Sequence, residues 1–203
     1  MPLHLGTDEA LSLDTLPDNP MVLVMRWLEQ ASEHGVVEPR SASLATFGVD
    51  GPSSRMVTIR TVDRAGCGFS TSATSRKGVE LSHDPRCSVN FYWREVGQQV
   101  TVAGEAFPCR DAESDEEFYS WPESAQAALI ASQQSSPLGE VDLPQRAADI
   151  MRTGVLTRPA QWGRWRVTPH VVEFWQGHGR QFPERVQYRS AAGAKWEVTR
   201  LQP

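Results

Sequence analysis

Three short β-rich runs separated by glycine-containing turns are the feature that most constrains how this chain folds. They cover residues 43–49, 54–62 and 67–72, with Asp50-Gly51 and Ala65-Gly66 at the two reversals. Runs of this length joined by such turns pair with their neighbours in sequence. The segment is therefore predicted to be an antiparallel meander, in which the strand that begins at Arg55 lies against the strand that ends at Ser70 and Thr71.

Further strands and helices follow the meander. The segments RCSVNFYWRE and QQVTVAGEAFP are predicted to form a second hairpin, broken at Gly97, and strands return from about residue 163. Between them, the polar residues 111–152 divide into three helical segments, and a short helix is predicted over RKGVELSHD. Sequential antiparallel strands decorated by helices indicate an α+β fold built on a β-barrel.

The first long helix is marked at both ends. It spans NPMVLVMRWLEQASEHG, with Asn19 as its cap, Pro20 in its first turn and Gly35 at its exit. Residues 1–18 are polar and rich in turn formers, and we expect them to be a loose N-terminal arm. The remainder, 19–203, is predicted to be a single domain, because its length suits one hydrophobic core.

Charge and composition argue against several classes of protein. The formal net charge is -5 and Lys and Arg are scattered, so no partner nucleic acid is expected. No basic N-terminal region precedes an apolar run, and no run has membrane-spanning length, so we expect a cytoplasmic protein without a membrane partner. The cysteines and histidines show no paired spacing typical of disulfides or metal sites, so no metal is expected.

The stretch STSATSRKG, residues 70–78, places several hydroxyl side chains before Arg76 and Lys77. Ser75 is predicted to cap a helix that these two cations open, and the free amide groups and dipole of such a start favour an anion. Two cations beside it would bind a phosphate group. A solvated, capped helix start explains the same residues, so this stretch alone leaves both interpretations open.

Several motifs, in a fixed order, resemble those of the pyridoxamine 5'-phosphate oxidase family, which are flavin enzymes with an FMN-binding split β-barrel. They are LATFGVDG, SRMVTIR, STSATSRKG, DPRCSVNFYW, QQVTVAGEA, SQQSS, VEFWQG and RLQP, within a resemblance that extends from about Pro17 to Pro203. Their order and spacing are more specific than any single motif. The segments NPMVLVMRWLEQASEHGVVEPRSASLATF and FYWREVGQQ are most similar to the family's phenazine-biosynthesis branch. The resemblance implies an antiparallel, Greek-key-like split barrel with peripheral helices.

The resemblance also implies FMN as the cofactor, bound at a homodimer interface where both subunits contact each flavin. The matching positions in one subunit are Arg55, Met56, Val57, Thr58, Ser70, Thr71, Ser75, Arg76, Lys77 and Gln99. The positions expected to come from the second subunit are Gln134, Ser135, Trp175 and Arg185. In this assignment the segment from Ser75 to Lys77 binds the phosphate, and the strand from Met56 onward runs along the flavin ring.

The substrate positions depart from the family's pattern. Vitamin-forming oxidases of the family hold their substrate phosphate with Lys, Tyr, Arg and Ser, whereas this chain has Arg60, Glu117, Trp121 and Ala125 there. Arg is not equivalent to Lys, and Glu117 would repel a phosphate. The family's Arg-Leu-His motif, six residues beyond the Trp of FWQG, is replaced by Gln181-Phe182-Pro183.

The substrate is therefore expected to be non-phosphorylated and fairly apolar or aromatic. The candidate pocket residues are Arg60, Trp93, Glu117, Trp121, Arg180 and Phe182. The predicted reaction is hydride transfer from a reduced nitrogen-containing ring to flavin N5, with dioxygen as the acceptor. Arg60 or Arg180 would orient a substrate carboxylate, and Glu117 would accept a proton, contact an amine or be a solvated helix carboxylate.

Two alternatives stay open for the function. One is a true pyridoxine or pyridoxamine 5'-phosphate oxidase, against which the residues at the substrate positions argue. The other is a flavin-binding protein with a non-redox or accessory role, which the loss of the Arg-Leu-His motif permits. Oxidation of pyridoxine 5'-phosphate distinguishes the first alternative, and reduction of bound flavin by candidate substrates distinguishes the second.

Overall fold

The computed structural model of this chain describes residues 11–177, 182–190 and 195–203. Within them the helices are α1 Pro20–Glu33, α2 Arg76–His83, α3 Asp111–Ser120, α4 Glu123–Ala131 and α5 Leu143–Thr153. The strands are β1 Ser41–Gly48, β2 Gly51–Thr58, β3 Thr61–Asp63, β4 Gly66–Ser72, β5 Arg86–Trp93, β6 Gln98–Pro108, β7 Trp162–Gln176, β8 Glu184–Arg189 and β9 Glu197–Leu201. None of the helices in the described ranges is long and apolar enough to cross a membrane.

The strands pair in the order β2-β1-β5-β6-β7-β4-β3, with β8 on β7 and β9 on β8, and each described pair is antiparallel. The sheet divides at the long strand β7. One edge of β7 pairs with β6, while its other edge pairs first with β4, over 162–167, and then with β8, over 171–176. In the described chain β2 and β3 end the path, so the sheet does not close. The predicted α+β split barrel with peripheral helices is confirmed.

The core is made of strand side chains that alternate into the interior and of the apolar face of α1. Phe91, Val100 and Phe174 are fully buried. Trp27 of α1 meets Phe174 edge to face, with ring centroids 5.2 Å apart. Aromatic pairs in this geometry stabilise a core beyond their area burial, so α1 is fixed against the second half of β7.

Helix α1 begins and ends where the sequence predicts. The side chain of Asn19 accepts a hydrogen bond from the amide of Met21 at 2.9 Å, and Pro20 is the first helical residue. Gly35 follows the helix with a φ of 74°, a left-handed conformation that glycine adopts without steric cost.

The predicted meander is only partly correct. The run 54–62 divides at Ile59 and Arg60: Ile59 is fully buried, and the amide of Arg60 donates to the carbonyl of Gly68 at 2.7 Å. The chain thereby leaves β2 at one edge of the sheet and enters β3 at the other. Arg55 lies opposite Leu44 of β1, whereas Ser70 and Thr71 pair with β7, so the predicted pairing between their strands is wrong.

The described part of the N-terminal arm, 11–18, is docked rather than loose. Leu11 is 5% exposed and belongs to the core, and its amide donates to the carboxylate of Glu184 at 2.9 Å. The hydroxyl of Tyr188 donates to the carbonyl of Pro17 at 3.0 Å. The polar composition of the arm did not reveal these contacts, because they depend on partners in β8, far away in sequence.

Candidate functional site

The start of α2 is the centre of the candidate site. Ser75 caps the helix as predicted, since its hydroxyl oxygen accepts the amide of Gly78 at 3.3 Å. Thr71, at the end of β4, lies 3.1 Å from the same hydroxyl. Arg76 and Lys77 then form the first turn, so the positive end of the helix dipole and two cationic side chains lie together.

Lys77 is buried, and the described side chains that accept its hydrogen bonds are neutral. It is 6% exposed, and its ammonium donates to Gln134 Oε1 at 2.9 Å and to Ser75 Oγ at 3.4 Å. Burial lowers the pKa of Lys77, the charge of Arg55 lowers it further, and Glu80 opposes the shift. An ammonium taken out of water without a bonded anion is costly, so this position is built to receive a negative charge.

Glu80 gathers the other charged side chains of the site. It is 6% exposed, and the hydroxyls of Thr46 and Ser53 donate to it at 2.5 and 2.7 Å. Arg55 donates from Nη2 at 2.8 Å and Arg76 from Nε at 2.9 Å. Burial by itself raises the pKa of Glu80, but these hydrogen bonds outweigh it and bring the pKa to about 2. Glu80 is therefore ionised and holds two of the predicted cofactor residues together.

Gln134 and Ser135 lie beside α2 of their own chain. Gln134 accepts from Lys77 and, at 3.3 Å, from the hydroxyl of Thr71, while Ser135 Oγ accepts the backbone amide of Arg76 at 3.1 Å. Within one chain, Gln134 and Ser135 therefore already border the start of α2, where the resemblance implied that a second subunit supplies these two residues. The loop that follows α4 folds back onto the start of α2, which the sequence motif SQQSS does not indicate.

A cavity of about 640 Å³ opens next to these residues. Its polar lining includes Ser70, Thr71 and Gln134, and its apolar lining includes Leu129 and Trp162. Sites that bind small molecules have volumes of this order and combine apolar walls with a few polar groups. The first part of the predicted phosphate-binding stretch, from Ser70 to Thr74, therefore borders a space large enough for a cofactor or substrate, whereas Ser75, Arg76 and Lys77 are not among its lining residues.

Strand β2 continues the site from Arg55. Met56 and Thr58 are exposed and Val57 is half-buried. Because β2 ends the described strand path, its outer backbone groups have no partner strand within the described chain. Unpaired edge groups of this kind accept hydrogen bonds from, or donate them to, a ligand or a second chain.

Gln99, Trp175 and Arg185 form a separate row across three strands. Gln99 of β6 lies opposite Trp175 of β7, which in turn lies opposite Arg185 of β8. Arg185 is ion-paired with Glu173 on the same face of the sheet. Thr71, in the α2 part of the site, pairs with Gly163 of β7. The contour of β7 from Gly163 to Trp175 is roughly 40 Å at ~3.3 Å per residue. These three predicted residues thus lie at the opposite end of β7 from the α2 cluster.

The substrate-position residues converge on Glu117. Its side chain is 11% exposed, so it is not the solvated helix carboxylate that was one expectation. The hydroxyl of Ser70 donates a hydrogen bond to Glu117 Oε1, and the same oxygen lies 3.8 Å from Arg60 Nε. Arg164 Nε lies 4.0 Å from the other carboxylate oxygen. Ser70, a predicted cofactor residue, is thereby linked directly to the predicted substrate position.

Aromatic rings cover one side of this carboxylate. The guanidinium of Arg60 lies over the ring of Trp121, 5.1 Å from its centroid, and Trp121 meets Trp162 edge to face at 5.1 Å. Phe182 is 64% exposed, and Trp93 is a core residue whose Nε1 donates to the carbonyl of Pro39 at 2.8 Å. Trp93 is therefore removed from the candidate pocket residues. Arg180 and Gln181 lie outside the described residues.

Sequence reasoning missed four residues that the structure places in the site: Thr46, Ser53, Glu80 and Arg164. Glu80 carries a signal, because it lies four residues after Arg76 on the same helix, a spacing that favours an ion pair. Thr46 and Ser53 are opposite each other in the β1–β2 hairpin, so correct register would have indicated them. Arg164 has no local signal, since its contact with Glu117 joins β7 to α3.

Comparison with known protein families agrees with this geometry. Residues 28–166 match the family model described as pyridoxamine 5'-phosphate oxidase. Residues 162–203 match the model described as the pyridoxine 5'-phosphate oxidase C-terminal dimerisation region. The chain belongs to the pyridoxamine 5'-phosphate oxidase family, and the prediction of a flavin-family oxidoreductase is confirmed.

The similar proteins include pyridoxine/pyridoxamine 5'-phosphate oxidases as well as PhzG. The pyridoxine/pyridoxamine 5'-phosphate oxidase of Nostoc sp. is 35% identical over 202 residues, covering 97% of this chain and 94% of that protein. The enzyme of the same name from Paraburkholderia phymatum is 35% identical over 198 residues, covering 96% and 93%. The crystal structure of PhzG from Burkholderia lata, in complex with tetrahydrophenazine-1-carboxylic acid, matches with a TM-score of 0.91 at 35% identity, covering 98% of this chain and 100% of that one.

A more distant structure supports the fold alone. It is a pyridoxamine 5'-phosphate oxidase-related, FMN binding protein from Nostoc punctiforme, with a TM-score of 0.73 at 14% identity over 93% of this chain and 100% of that one. The predicted similarity to the phenazine branch is confirmed by the PhzG match. Sequence identity does not separate the two sides of the family, because the vitamin oxidases and PhzG are equally identical to this chain.

Proposed function

We propose that this chain is an FMN-dependent oxidase of a non-phosphorylated, nitrogen-containing ring substrate that resembles a reduced phenazine precursor. The observation that carries the cofactor part is the buried ammonium of Lys77, which is bonded only to neutral acceptors at the start of α2. A phosphate monoester supplies the missing negative charge and several acceptor oxygens. The donor set around it fits such a group.

The residues that would hold FMN divide into two groups. Ser75, Arg76 and Lys77 would bind the phosphate, and Arg55 would contact the phosphate-ribityl side. The other residues assigned to the cofactor in the same chain are Met56, Val57, Thr58, Ser70, Thr71, Gln134 and Ser135. The second group is the row of Gln99, Trp175 and Arg185, which would supply a flat aromatic neighbour and polar groups for the ring.

The placement of these groups at opposite ends of β7 supports a homodimer with shared sites. They lie at opposite ends of β7, separated by a contour of roughly 40 Å at ~3.3 Å per residue. A second chain could bring its Gln99, Trp175 and Arg185 against the α2 cluster of the first. This arrangement moves Gln99, which the resemblance assigned to the first subunit, to the second, because Gln99 lies opposite Trp175. The match of residues 162–203 to a dimerisation region supports this arrangement.

The charges around Glu117 favour a monoanionic substrate over a phosphate. Arg60 and Arg164 both lie within 4.0 Å of the Glu117 carboxylate, so the three groups together carry a single positive charge. A carboxylate monoanion suits that charge, whereas a phosphate dianion would also meet the negative Glu117 at close range. The Arg60–Trp121 stack and the neighbouring Trp162 offer flat surfaces to an aromatic ring.

When bound, FMN supplies a hydride acceptor that dioxygen reoxidises, so the substrate loses a hydride and a proton and dioxygen gains them as hydrogen peroxide. The protein's part is to orient the substrate ring. Arg60 would hold the substrate carboxylate, and the Glu117 side chain, to which the Ser70 hydroxyl donates a hydrogen bond, would accept a hydrogen bond from a ring N–H. A reaction whose product gains aromaticity needs no strong side-chain base. The replacement of the family's Arg-Leu-His by Gln181-Phe182-Pro183 is compatible with such a reaction.

Oxygen consumption with two substrates tests this proposal. FMN-loaded protein is assayed with pyridoxine 5'-phosphate and with tetrahydrophenazine-1-carboxylic acid. We expect turnover of the phenazine precursor and little of the vitamin phosphate. A triple variant, Glu117→Tyr with Trp121→Arg and Ala125→Ser, restores three of the family's four phosphate positions, keeps the positive charge of Arg60 at the fourth, and is expected to gain vitamin activity. Glu116→Tyr, one residue earlier on an exposed face of α3, is the matched control.

Two other outcomes point to different functions. Efficient oxidation of pyridoxine 5'-phosphate by the unaltered protein would make it a vitamin oxidase, the activity for which the Nostoc sp. and Paraburkholderia phymatum relatives are named. Bound flavin that no reduced ring compound can reduce would favour an accessory flavin-binding role.

A further inference from the structure

We propose that Glu80 is a positioning residue of the phosphate site, which holds Arg55 and Arg76 in the orientation that binds the cofactor phosphate. This inference rests on the proposed function, since it assumes that the start of α2 binds a phosphate group. Neither the resemblance nor the phosphate motif assigns a role to Glu80. The carboxylate itself is buried behind the arginines and would not touch the phosphate.

The geometry leaves the terminal groups of Arg76 free, whereas Arg55 keeps only its Nε–H as a donor for the phosphate. Arg76 donates a hydrogen bond from Nε to Glu80 at 2.9 Å. Its side chain is 60% exposed, so its terminal amino groups are left for an incoming anion. Arg55 is more constrained, because Leu44, Thr46, Ser53 and Glu80 accept hydrogen bonds from its two terminal nitrogens. Without the carboxylate, two long cationic side chains beside Lys77 would repel each other and lose this fixed geometry.

There is little free space around the Glu80 side chain. A Cβ atom at Gly48, in β1, would lie 2.8 Å from Glu80 Cγ, so the glycine provides the room that the glutamate side chain needs. Thr46 and Ser53 project toward the same carboxylate from opposite positions of the β1–β2 hairpin. One helix and two strands therefore converge on a single buried acid, which fixes α2 relative to the hairpin.

The net charge of the cluster also fits a phosphate monoester. Arg55, Arg76 and Lys77 contribute three positive charges, and Glu80, which is ion-paired with both arginines, removes one. The remaining two positive charges match a phosphate monoester, which carries between about -1.5 and -2 at pH 7. Glu80 thus both orients the arginines and limits the repulsion among the three cations.

Paired titrations with FMN and riboflavin test this role, because riboflavin lacks the phosphate. Quenching of flavin fluorescence gives both affinities for the wild-type homodimeric protein, Glu80→Gln and Ser53→Ala. Ser53→Ala removes one partner of the carboxylate at a half-buried position, so it remains informative if Glu80→Gln fails to fold. Asp84→Asn is the matched control: it removes a carboxylate at the far end of α2, where Asp84 pairs with Arg86.

The expected result is a loss of FMN affinity on the order of tenfold or more in Glu80→Gln, a smaller loss in Ser53→Ala, and unchanged riboflavin affinity in both. Tighter FMN binding by Glu80→Gln would mean that the acid only opposes the phosphate, and it would overturn the proposal. Unchanged FMN binding, or parallel losses of both ligands, would also overturn it. If the wild type fails to prefer FMN over riboflavin, the proposed function itself is wrong.

Discussion

The ammonium of Lys77 lies 2.9 Å from the side-chain oxygen of Gln134, and the two residues hold the start of α2 against the loop that follows α4. Gln134 is uncharged and Lys77 is a cation, so the pair contains no negatively charged group. A buried cation in such surroundings is stabilised when an anion binds. The affinity for the phosphate of FMN should therefore depend strongly on this lysine.

Replacing Lys77 by Met should weaken FMN binding by about 10–100-fold, the effect of losing a charge-assisted hydrogen bond, while riboflavin affinity stays unchanged. Flavin fluorescence titration measures both affinities. Arg76→Met should weaken FMN binding less, because that side chain is 60% exposed and its charge is partly screened by solvent. Equal losses of FMN and riboflavin in Lys77→Met would show a structural defect rather than a lost phosphate contact.

The affinity for FMN should fall as the solution becomes alkaline. Burial and the charge of Arg55 lower the pKa of Lys77, so the free protein releases this proton below the ordinary lysine value of 10.5. Above that lowered pKa, binding a phosphate dianion requires the protein to take up a proton, which costs affinity. Between the second pKa of the phosphate, about 6, and that lowered lysine pKa, Lys77 is already charged and the affinity changes little with pH.

Measurement of both flavins between neutral pH and the ordinary lysine pKa checks this dependence. The decline should appear for FMN, should be absent for riboflavin, and should disappear in Lys77→Met. A parallel decline for both flavins in the wild type would contradict the assignment of Lys77 to the phosphate.

The stability of the protein without cofactor should fall in acid through Glu80. Its pKa is lowered from 4.5 to about 2 in the folded state, so the stabilisation is fully present above the unfolded value and is lost as the pH falls toward 2. Chemical denaturation of wild type and Glu80→Gln at a series of pH values measures the difference. The gap between them should be largest near neutral pH and should close in acid. A gap that does not depend on pH would contradict an ionised Glu80.

Two variants with weakened FMN binding should complement each other if the site is shared between chains. Lys77→Met removes the α2 half of a site, and Arg185→Ala removes the β8 half. A mixed dimer of the two variants contains one intact site, so FMN binding should partly recover after the variants are unfolded and refolded together. Each variant treated alone is the control. Absence of recovery in a verified mixed dimer would place both halves of the site in one chain.

The sequence predicted the parts of this site that depend on local signals. Asn19 and Ser75 cap their helices as expected, because a cap is determined by a few adjacent residues. The family resemblance also directed attention to Lys77, which the structure places as a buried cation at the start of α2. The pairing partners of β2 and β4 were predicted wrongly, since the break at Ile59 depends on burial in a core that the whole chain forms.

Long-range contacts account for the other differences. The burial of Glu117 against Arg164 joins α3 to β7, and the contact of Gln134 with Lys77 joins the loop after α4 to α2. Neither pair has a sequence spacing that would reveal it. Alternation and capping rules describe single helices and strands. They predict where each element begins and ends, but not which distant residues its side chains contact.

An anaerobic titration followed by visible absorbance tests whether this protein is an FMN-dependent oxidase of a reduced ring substrate. FMN-loaded protein is mixed with tetrahydrophenazine-1-carboxylic acid without oxygen, and separately with pyridoxine 5'-phosphate, and each sample is then exposed to air. We expect that the flavin absorbance bleaches with the phenazine precursor, recovers in air, and stays unchanged with the vitamin phosphate. Bleaching by pyridoxine 5'-phosphate, with none by the phenazine precursor, would contradict this expectation.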